Sequence, residues 1–360
     1  MASLFRKALQ EGLINSPPDF IKTNLQYEVI MGSYAYGCSG DTSDSDVYGV
    51  CIPPKDMIFP HLAGEIWDFG RQKKRFEQWQ QHHVKDDKGN EYDFSIYGIV
   101  KYFNLLMDNN PNMIDSLFVP ERCVIHITSV GELIRDNRKM FLHLGSWHKF
   151  RGYAHAQMHK IDIKTPVGLK ELWDFEETNN IPHDMTSVLI KTEIGLREQA
   201  EDLFDNVRES LSHLNNEKLN EYIKLFSSAG NRADIVKRFG YDVKFAYHVV
   251  RLMLQIEQII TTGDLNLERD SEIYKAIRRG EWSLEQLKKW FADKELELEN
   301  VYNRGIAPVP YKPDEQAIKK LLLDCLEHHY GCLDKSISRP DNFQMFFKEI
   351  EAAVEKYRLT

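Results

Sequence analysis

"MGSYAYGCSGDTSDSDVYGVCIPP", residues 31–54, decides how this chain is read. Gly32-Ser33 stands near its start, and two aspartates one residue apart, Asp44 and Asp46, follow with no Lys or Arg anywhere in the stretch. "YEVIM" is a short apolar run that ends at Gly32, and "SDVYGVCI" alternates in polarity until Pro53-Pro54 stops it. If "SDVYGV" is a strand, residues two apart point to one face, so Asp44 and Asp46 project side by side. Carboxylates that close repel unless a cation lies between them. Hard divalent cations such as magnesium favour these oxygen ligands and leave room for phosphate oxygens. A blander reading is an acidic surface loop, because Asp and Ser are common in turns. A calcium loop starting at Asp44 would need acids at its fifth and twelfth positions, and these are Tyr48 and Lys55.

"VIMGS" reads as a strand running into a glycine turn, with a helix expected to follow through "YAYG". Such a turn offers backbone N–H groups and a hydroxyl to an anion, with a helix dipole behind them. Phosphate at one end and metal at the other describes a bound nucleoside triphosphate with its magnesium.

The rest of the chain sets bounds. At 360 residues it is long for one core and comfortable for two packed domains. No stretch approaches the ~20 uninterrupted apolar residues of a membrane span. "MASLFRKALQEGLINSPPDF" carries charges inside a short amphipathic pattern, so neither a signal peptide nor an anchor is expected. The five cysteines show no CxxC and no zinc spacing, which points to free thiols and a cytoplasmic location. A net charge of -9 argues against a surface coated with base for non-specific nucleic-acid binding, but leaves room for a local basic cleft.

Strand and helix signals mix up to about residue 130. "RFEQWQQHHV" and "NEYDFSI" flank "KDDKGN", which is hairpin material. "SIYGIVKYFNLLMDNN" would put Ile96, Ile99, Val100, Phe103, Leu106 and Met107 on one helical face, ended by Asn110-Pro111, and "CVIHIT" reads as a last strand. Beyond that the signals are helical, over roughly 131–160, 184–228, 241–262, 271–279, 283–302 and 314–330, with a terminal helix near 342–357. The pattern predicts an α+β fold: an N-terminal mixed-sheet domain over 1–135 and an all-helical domain over 136–360.

Gly32-Ser33, ten intervening residues and then Asp44-Ser45-Asp46 resemble the signature of the DNA-polymerase-β nucleotidyltransferase superfamily. "GSYAYG…SDSDVYGV", "YDFSIYGIVKYFNLLMDNNPNMIDSLF", "FRGYAHAQMHKI", "FGYDVKFAYHVVRLM" and "IAPVPYKPDE" are similar, in this order, to segments of the nucleotidyltransferases linked to bacterial RNA-repair operons and found in phages. The resemblance implies a polymerase-β-like catalytic domain in which the paired acids hold two metal ions, magnesium or manganese, and a third acid arrives on a later strand. That acid is Asp93 in "NEYDFSIYG", with Glu91 two residues earlier as the fallback. It further implies nucleotidyl transfer, in which a hydroxyl attacks the α-phosphate of a triphosphate and pyrophosphate leaves. Asp44 and Asp46 would hold both ions, Asp93 would complete the one that activates the hydroxyl, and Ser33 with the Gly32 backbone would steady the leaving phosphates.

Other residues carry weaker signals. Arg151, His155 and His159 recur every four positions on one helix face, open to phosphate or RNA-end contact, to ordinary surface roles or to a metal. Lys244, His248 and Arg251 form a second polar stripe, opposite Ala246, Val249, Val250, Met253, Ile256 and Ile260, and are expected to bind the nucleotide. "RQKKR" at 71–75 is a basic loop whose default reading is a solvated turn. The leading expectation is a magnesium-dependent nucleotidyltransferase, ATP-binding or using another triphosphate, acting on an RNA end, tRNA among the acceptors. Its rivals are nucleotidylation of a small molecule or protein, and a nucleotide- or RNA-binding regulator without turnover.

Overall fold

The computed structural model describes residues 3–39, 45–72, 75–163, 166–181, 211–229, 235–236, 239–337 and 350. Five strands form one mixed sheet: β1 (Leu25–Ile30), β2 (Ser45–Cys51), β3 (Gln78–Lys85), β4 (Glu91–Gly98) and β5 (Val124–Ile127), in the order β3-β4-β2-β1-β5. β2 and β4 run parallel, and the other neighbours pair antiparallel. All five strands fall where alternation or short apolar runs place them.

Alternation along the strands divides the sheet's two faces. Val47 and Cys51 on β2, with Phe94 and Ile96 on β4, point into a small core closed by Phe5 and Ala8 of α1 (Leu4–Gln10) and Ile21 of α2 (Asp19–Asn24). Glu28 of β1 is buried, and its carboxylate accepts the N–H groups of Leu4 and Phe5 at 3.0 and 2.7 Å, which fastens the start of α1 to the sheet. On the other face, Val50 and Tyr97 join the large core with α4 (Ile99–Met107), reached after the short α3 (Lys55–Ile58), and with α5 (Pro111–Phe118).

The large core continues without a break into the helical part of the chain. It runs through Ile134 of α6 (Ser129–Asp136) and Trp147 and Phe150 of α7 (Ser146–Ile163). α8 (Pro166–Thr178) and α9 (Asn216–Ala229) pack on each other around Leu172 and Tyr222 as a separate small cluster. α10 (Val243–Thr262) then lies against α7, α11 (Ser271–Arg278) and α12 (Leu284–Asn303), and α13 (Glu315–Tyr330) packs on α6 and α4. No strand follows β5 among the described residues.

Two details differ from the sequence reading. Ser95–Gly98 belong to β4 rather than to the following helix, because the parallel ladder with β2 continues to the pair Cys51↔Gly98. Ile96 is therefore fully buried under the sheet, while Val100 is 38% exposed on a helix that starts only at Ile99. Residues 34–37, expected as a helix, carry only the end of a short 3-10 turn over Gly32–Tyr34. The expected terminal helix near 342–357 and residues 182–210 lie outside the described residues, apart from Ile350.

Candidate active site

β1 delivers the chain to Gly32, and β2 brings it back beside that glycine. The Met31 N–H donates to the Asp46 carbonyl at 2.7 Å, so the end of β1 and the beginning of β2 are joined at this point. Gly32 has φ +69°, a left-handed conformation that glycine takes without penalty. A Cβ there would lie 2.6 Å from Oδ2 of Asp46, so the glycine turn and the aspartate carboxylate are in direct apposition. The turn is closed by Ala35 N–H and Tyr36 N–H donating to the Gly32 carbonyl at 3.1 and 3.4 Å, and by Cys38 N–H donating to Ser33 at 2.9 Å.

Asp46 and Asp93 are register partners across the parallel pair β2 and β4. Register partners point to the same face, and adjacent strands are roughly 4.8 Å apart, so the two carboxylates neighbour each other. They share the face of Tyr48 and Tyr97, whose rings meet edge-on at 5.9 Å, and they stand at the rim where both strands begin. Asp44 lies outside the described residues. Among the described residues no cluster of three or more His, Cys, Asp or Glu side chains is arranged to hold a metal.

Glu91 and Asp93 occupy the same face of β4, two residues apart, but meet different neighbours. Glu91 lies within 2.5 Å of His83 Nδ1 and 3.4 Å of Lys85 Nζ. Asp93 accepts the His83 N–H at 2.8 Å and lies 3.4 Å from His82 Nδ1. Both histidines sit at a bulge in β3 between Gln81 and Val84, where His83 adopts φ +57°. The bulge turns two consecutive residues toward β4. Sequence reasoning passed over this pair, although "QHHV" interrupts the alternation of its strand.

Of the Lys244, His248 and Arg251 stripe, Arg251 does not face a ligand. α10 is buried along most of its length, with Lys244 in its first turn and Thr261 and Thr262 at its end exposed, His248 half-buried and Arg251 4% exposed. Arg251 Nη1 donates to Asp115 at 2.8 Å and also to the Tyr36 hydroxyl, which itself donates to Asp115 at 2.7 Å. Gln255 adds a donor to the other Asp115 oxygen at 3.1 Å. Burial disfavours charge on both partners, pushing the Asp115 carboxyl well above the usual carboxylate range and the Arg251 guanidinium down to about 10. Arg251 thus remains a cation at neutral pH, engaged with Asp115 rather than presented to solvent.

Arg151 and His155 both engage Oε1 of Glu295 on α12, the histidine at 2.7 Å, and this ties α7 to α12. His159 is exposed on the same helix. In "RQKKR", Arg75 pairs with Glu65 at 2.9 Å, Arg71 is exposed, and Lys73 and Lys74 lie outside the described residues. Cys38, Cys51, Cys123, Cys325 and Cys332 are free thiols, the last of them exposed. No described helix is long and apolar enough to cross a membrane.

Comparison with known proteins bears on the part of the chain that carries this geometry. Residues 10–173 match the model of the RNA repair pathway DNA polymerase beta family. No curated protein matches the chain. Among solved structures, a nucleotidyltransferase-like protein from Exiguobacterium sibiricum 255-15 is similar at 10% identity and a TM-score of 0.24, over 81% of this chain and 76% of that one. The matched region contains the Gly32-Ser33 turn, Asp44, Asp46 and Asp93, and through it this part of the chain is similar to the RNA repair pathway DNA polymerase beta family.

Proposed function

We propose that this protein is a magnesium-dependent nucleotidyltransferase that moves a nucleoside monophosphate from a triphosphate to a hydroxyl at an RNA end. One observation carries the reading: Asp46 and Asp93 stand in register on neighbouring parallel strands, with the Gly32 turn against the Asp46 carboxylate. The donor set fits a hard cation, since it consists of carboxylate oxygens beside an open glycine turn that a Cβ would fill. Asp44, Asp46 and Asp93 would hold magnesium, or manganese in its place, and Gly32 and Ser33 would receive the β- and γ-phosphates. Bound there, the ions would supply electrostatic stabilisation of the charge that builds on the phosphate oxygens. The acceptor hydroxyl oxygen forms a bond to the α-phosphorus while the bond to the bridging oxygen breaks and pyrophosphate leaves. The hydroxyl proton passes to the Asp93 carboxylate and on to solvent. Lys244, exposed at the start of α10, is retained as a phosphate contact.

In this reading residues 1–135 form the catalytic domain and 136–360 the helical domain, in a cytoplasmic protein. Incubation with each labelled triphosphate, magnesium and total cellular RNA tests it. Label incorporated into RNA with release of pyrophosphate supports the proposal. Label found only in protein or small molecules moves the acceptor elsewhere, and no incorporation with any triphosphate removes the transferase reading.

A further inference from the structure

Three arginines hold the segment that follows the Gly32-Ser33 turn. Arg122 donates to the Tyr34 carbonyl at 2.8 Å, Arg278 of α11 donates to the Cys38 carbonyl at 2.5 Å, and Arg251 of α10 donates to the Tyr36 hydroxyl. The anchored residues alternate along the chain, 34, 36 and 38, and two of the three arginines come from helices beyond residue 240. Arg122 also pairs with Glu268 at 2.8 Å, and Arg251 with Asp115 at 2.8 Å. With those charges offset, both arginines act on the turn through hydrogen bonds and not as cations offered to a phosphate. The opposite side of the same turn bears on Asp46, where a Cβ on Gly32 would come within 2.6 Å of Oδ2.

We infer that Arg251, acting through Tyr36, is a positioning residue for the Gly-Ser turn: together with Arg122 and Arg278 it fixes the phosphate-side backbone against the carboxylates that would hold the metal. The inference rests on the nucleotidyltransferase reading of that site. An anion-holding turn works only when its N–H groups keep their direction to within a small tolerance, which a short 3-10 turn cannot secure by itself. The Tyr36 N–H bonds to the Gly32 carbonyl, so a hydroxyl pinned at Tyr36 restrains the glycine one turn away. The helical part of the chain thereby shapes a site whose recognisable motif lies wholly in the N-terminal part.

The test uses the full chain and the variants Tyr36→Phe, Arg251→Lys and their double. Tyr36→Phe keeps the ring and the Arg251–Asp115 pair but removes both hydroxyl bonds, the one accepted from Arg251 and the one donated to Asp115 at 2.7 Å. Arg251→Lys keeps the charge beside Asp115, but a compact ammonium lacks the guanidinium's fork and is expected to give up Tyr36. Tyr36→Phe, which loses both hydroxyl bonds, is expected to raise the triphosphate KM about tenfold or more, and Arg251→Lys, which leaves the Tyr36–Asp115 bond in place, by a smaller factor, while neither changes the acceptor KM. The double variant is expected to match Tyr36→Phe, because with the hydroxyl gone Arg251 has no further link to the turn. Hydrogen exchange at the amides of residues 33–38 should quicken in all three, with the global unfolding midpoint of Tyr36→Phe close to that of the parent. Parental triphosphate KM and parental exchange in both single variants would overturn the inference. If the parent protein binds and transfers no nucleotide, the transferase reading fails by itself, and unchanged exchange at 33–38 remains the result that sinks the strut.

Discussion

Asp46 and Asp93 face the same way from adjacent parallel strands, 47 positions apart in sequence and directly paired in register. Neither carboxylate is on a mobile connector: each belongs to a strand whose next residue, Val47 or Phe94, is anchored in the small core beneath the sheet. Asp46→Asn and Asp93→Ala are therefore expected to fold. Each should lose transfer by about a hundredfold or more, the size of effect seen when one preorganised charge-stabilising group is removed. Glu91→Ala, which removes a side chain engaged by His83 and Lys85, should retain most activity. Rates of nucleotide incorporation measured for the three variants decide it; an inactive Glu91→Ala beside an active Asp93→Ala would exchange the two roles.

Gly32→Ala tests the turn. An alanine held at this positive φ costs roughly 1–2 kcal/mol, and its methyl group would push on Asp46. Gly64 supplies a control, having φ +76° and nothing within 4 Å of the position a Cβ would take. Both variants should lose similar stability in denaturant titrations. Only Gly32→Ala should lose triphosphate binding, and equal binding by the two would detach the turn from the site.

The two ends of the α10 stripe should part company. Arg251→Ala strands a buried Asp115 without its cation, and breaking such a pair costs about 3–5 kcal/mol. Lys244→Ala should stay within about 0.5 kcal/mol of the parent in stability, because the side chain is exposed. It should weaken triphosphate binding about tenfold at low salt and less at high salt. Unfolding curves and nucleotide titrations at two ionic strengths measure both effects; an Arg251→Ala protein of parental stability would contradict the buried pair.

His143 makes stability depend on pH. Burial lowers its pKa from the usual histidine value, and its two ring nitrogens meet opposite partners: Nε2 lies 2.9 Å from the Met107 carbonyl, and Nδ1 accepts the Gly145 N–H at 3.1 Å. The folded protein therefore holds the neutral ring with its proton on Nε2, and a second proton on Nδ1 would face the Gly145 donor. The folded pKa is depressed, so the contribution is present above the unfolded value of about 6.5 and is lost as pH falls through the lower folded value. Unfolding free energy measured between pH 7.5 and 5 should fall more steeply in the parent than in His143→Gln. Identical slopes would show that His143 does not bind its proton differently on folding.

The five strands, most helices and the pairing of a glycine turn with neighbouring acids could be read from the sequence, because each rests on local signals. Alternation marks a half-buried strand, 3.6-residue spacing marks a packed helix, and Gly32-Ser33 with Asp44 and Asp46 lie within fifteen residues of one another. Asp93 came from a family resemblance, and its alignment beside Asp46 came from the parallel ladder between β2 and β4. Local patterning also placed Ile96 in a helix, since it carries no information about how far a ladder with a distant strand will run. The environment of Arg251 was the part that only tertiary structure decided. A helix viewed alone shows Lys244, His248 and Arg251 as one polar stripe, yet packing buries the third against Asp115 and Tyr36, residues 136 and 215 positions away. A buried charge is stable only beside its counter-charge, and which residues the fold brings to that place is set by the packing of helices on the sheet rather than by any neighbouring stretch of chain.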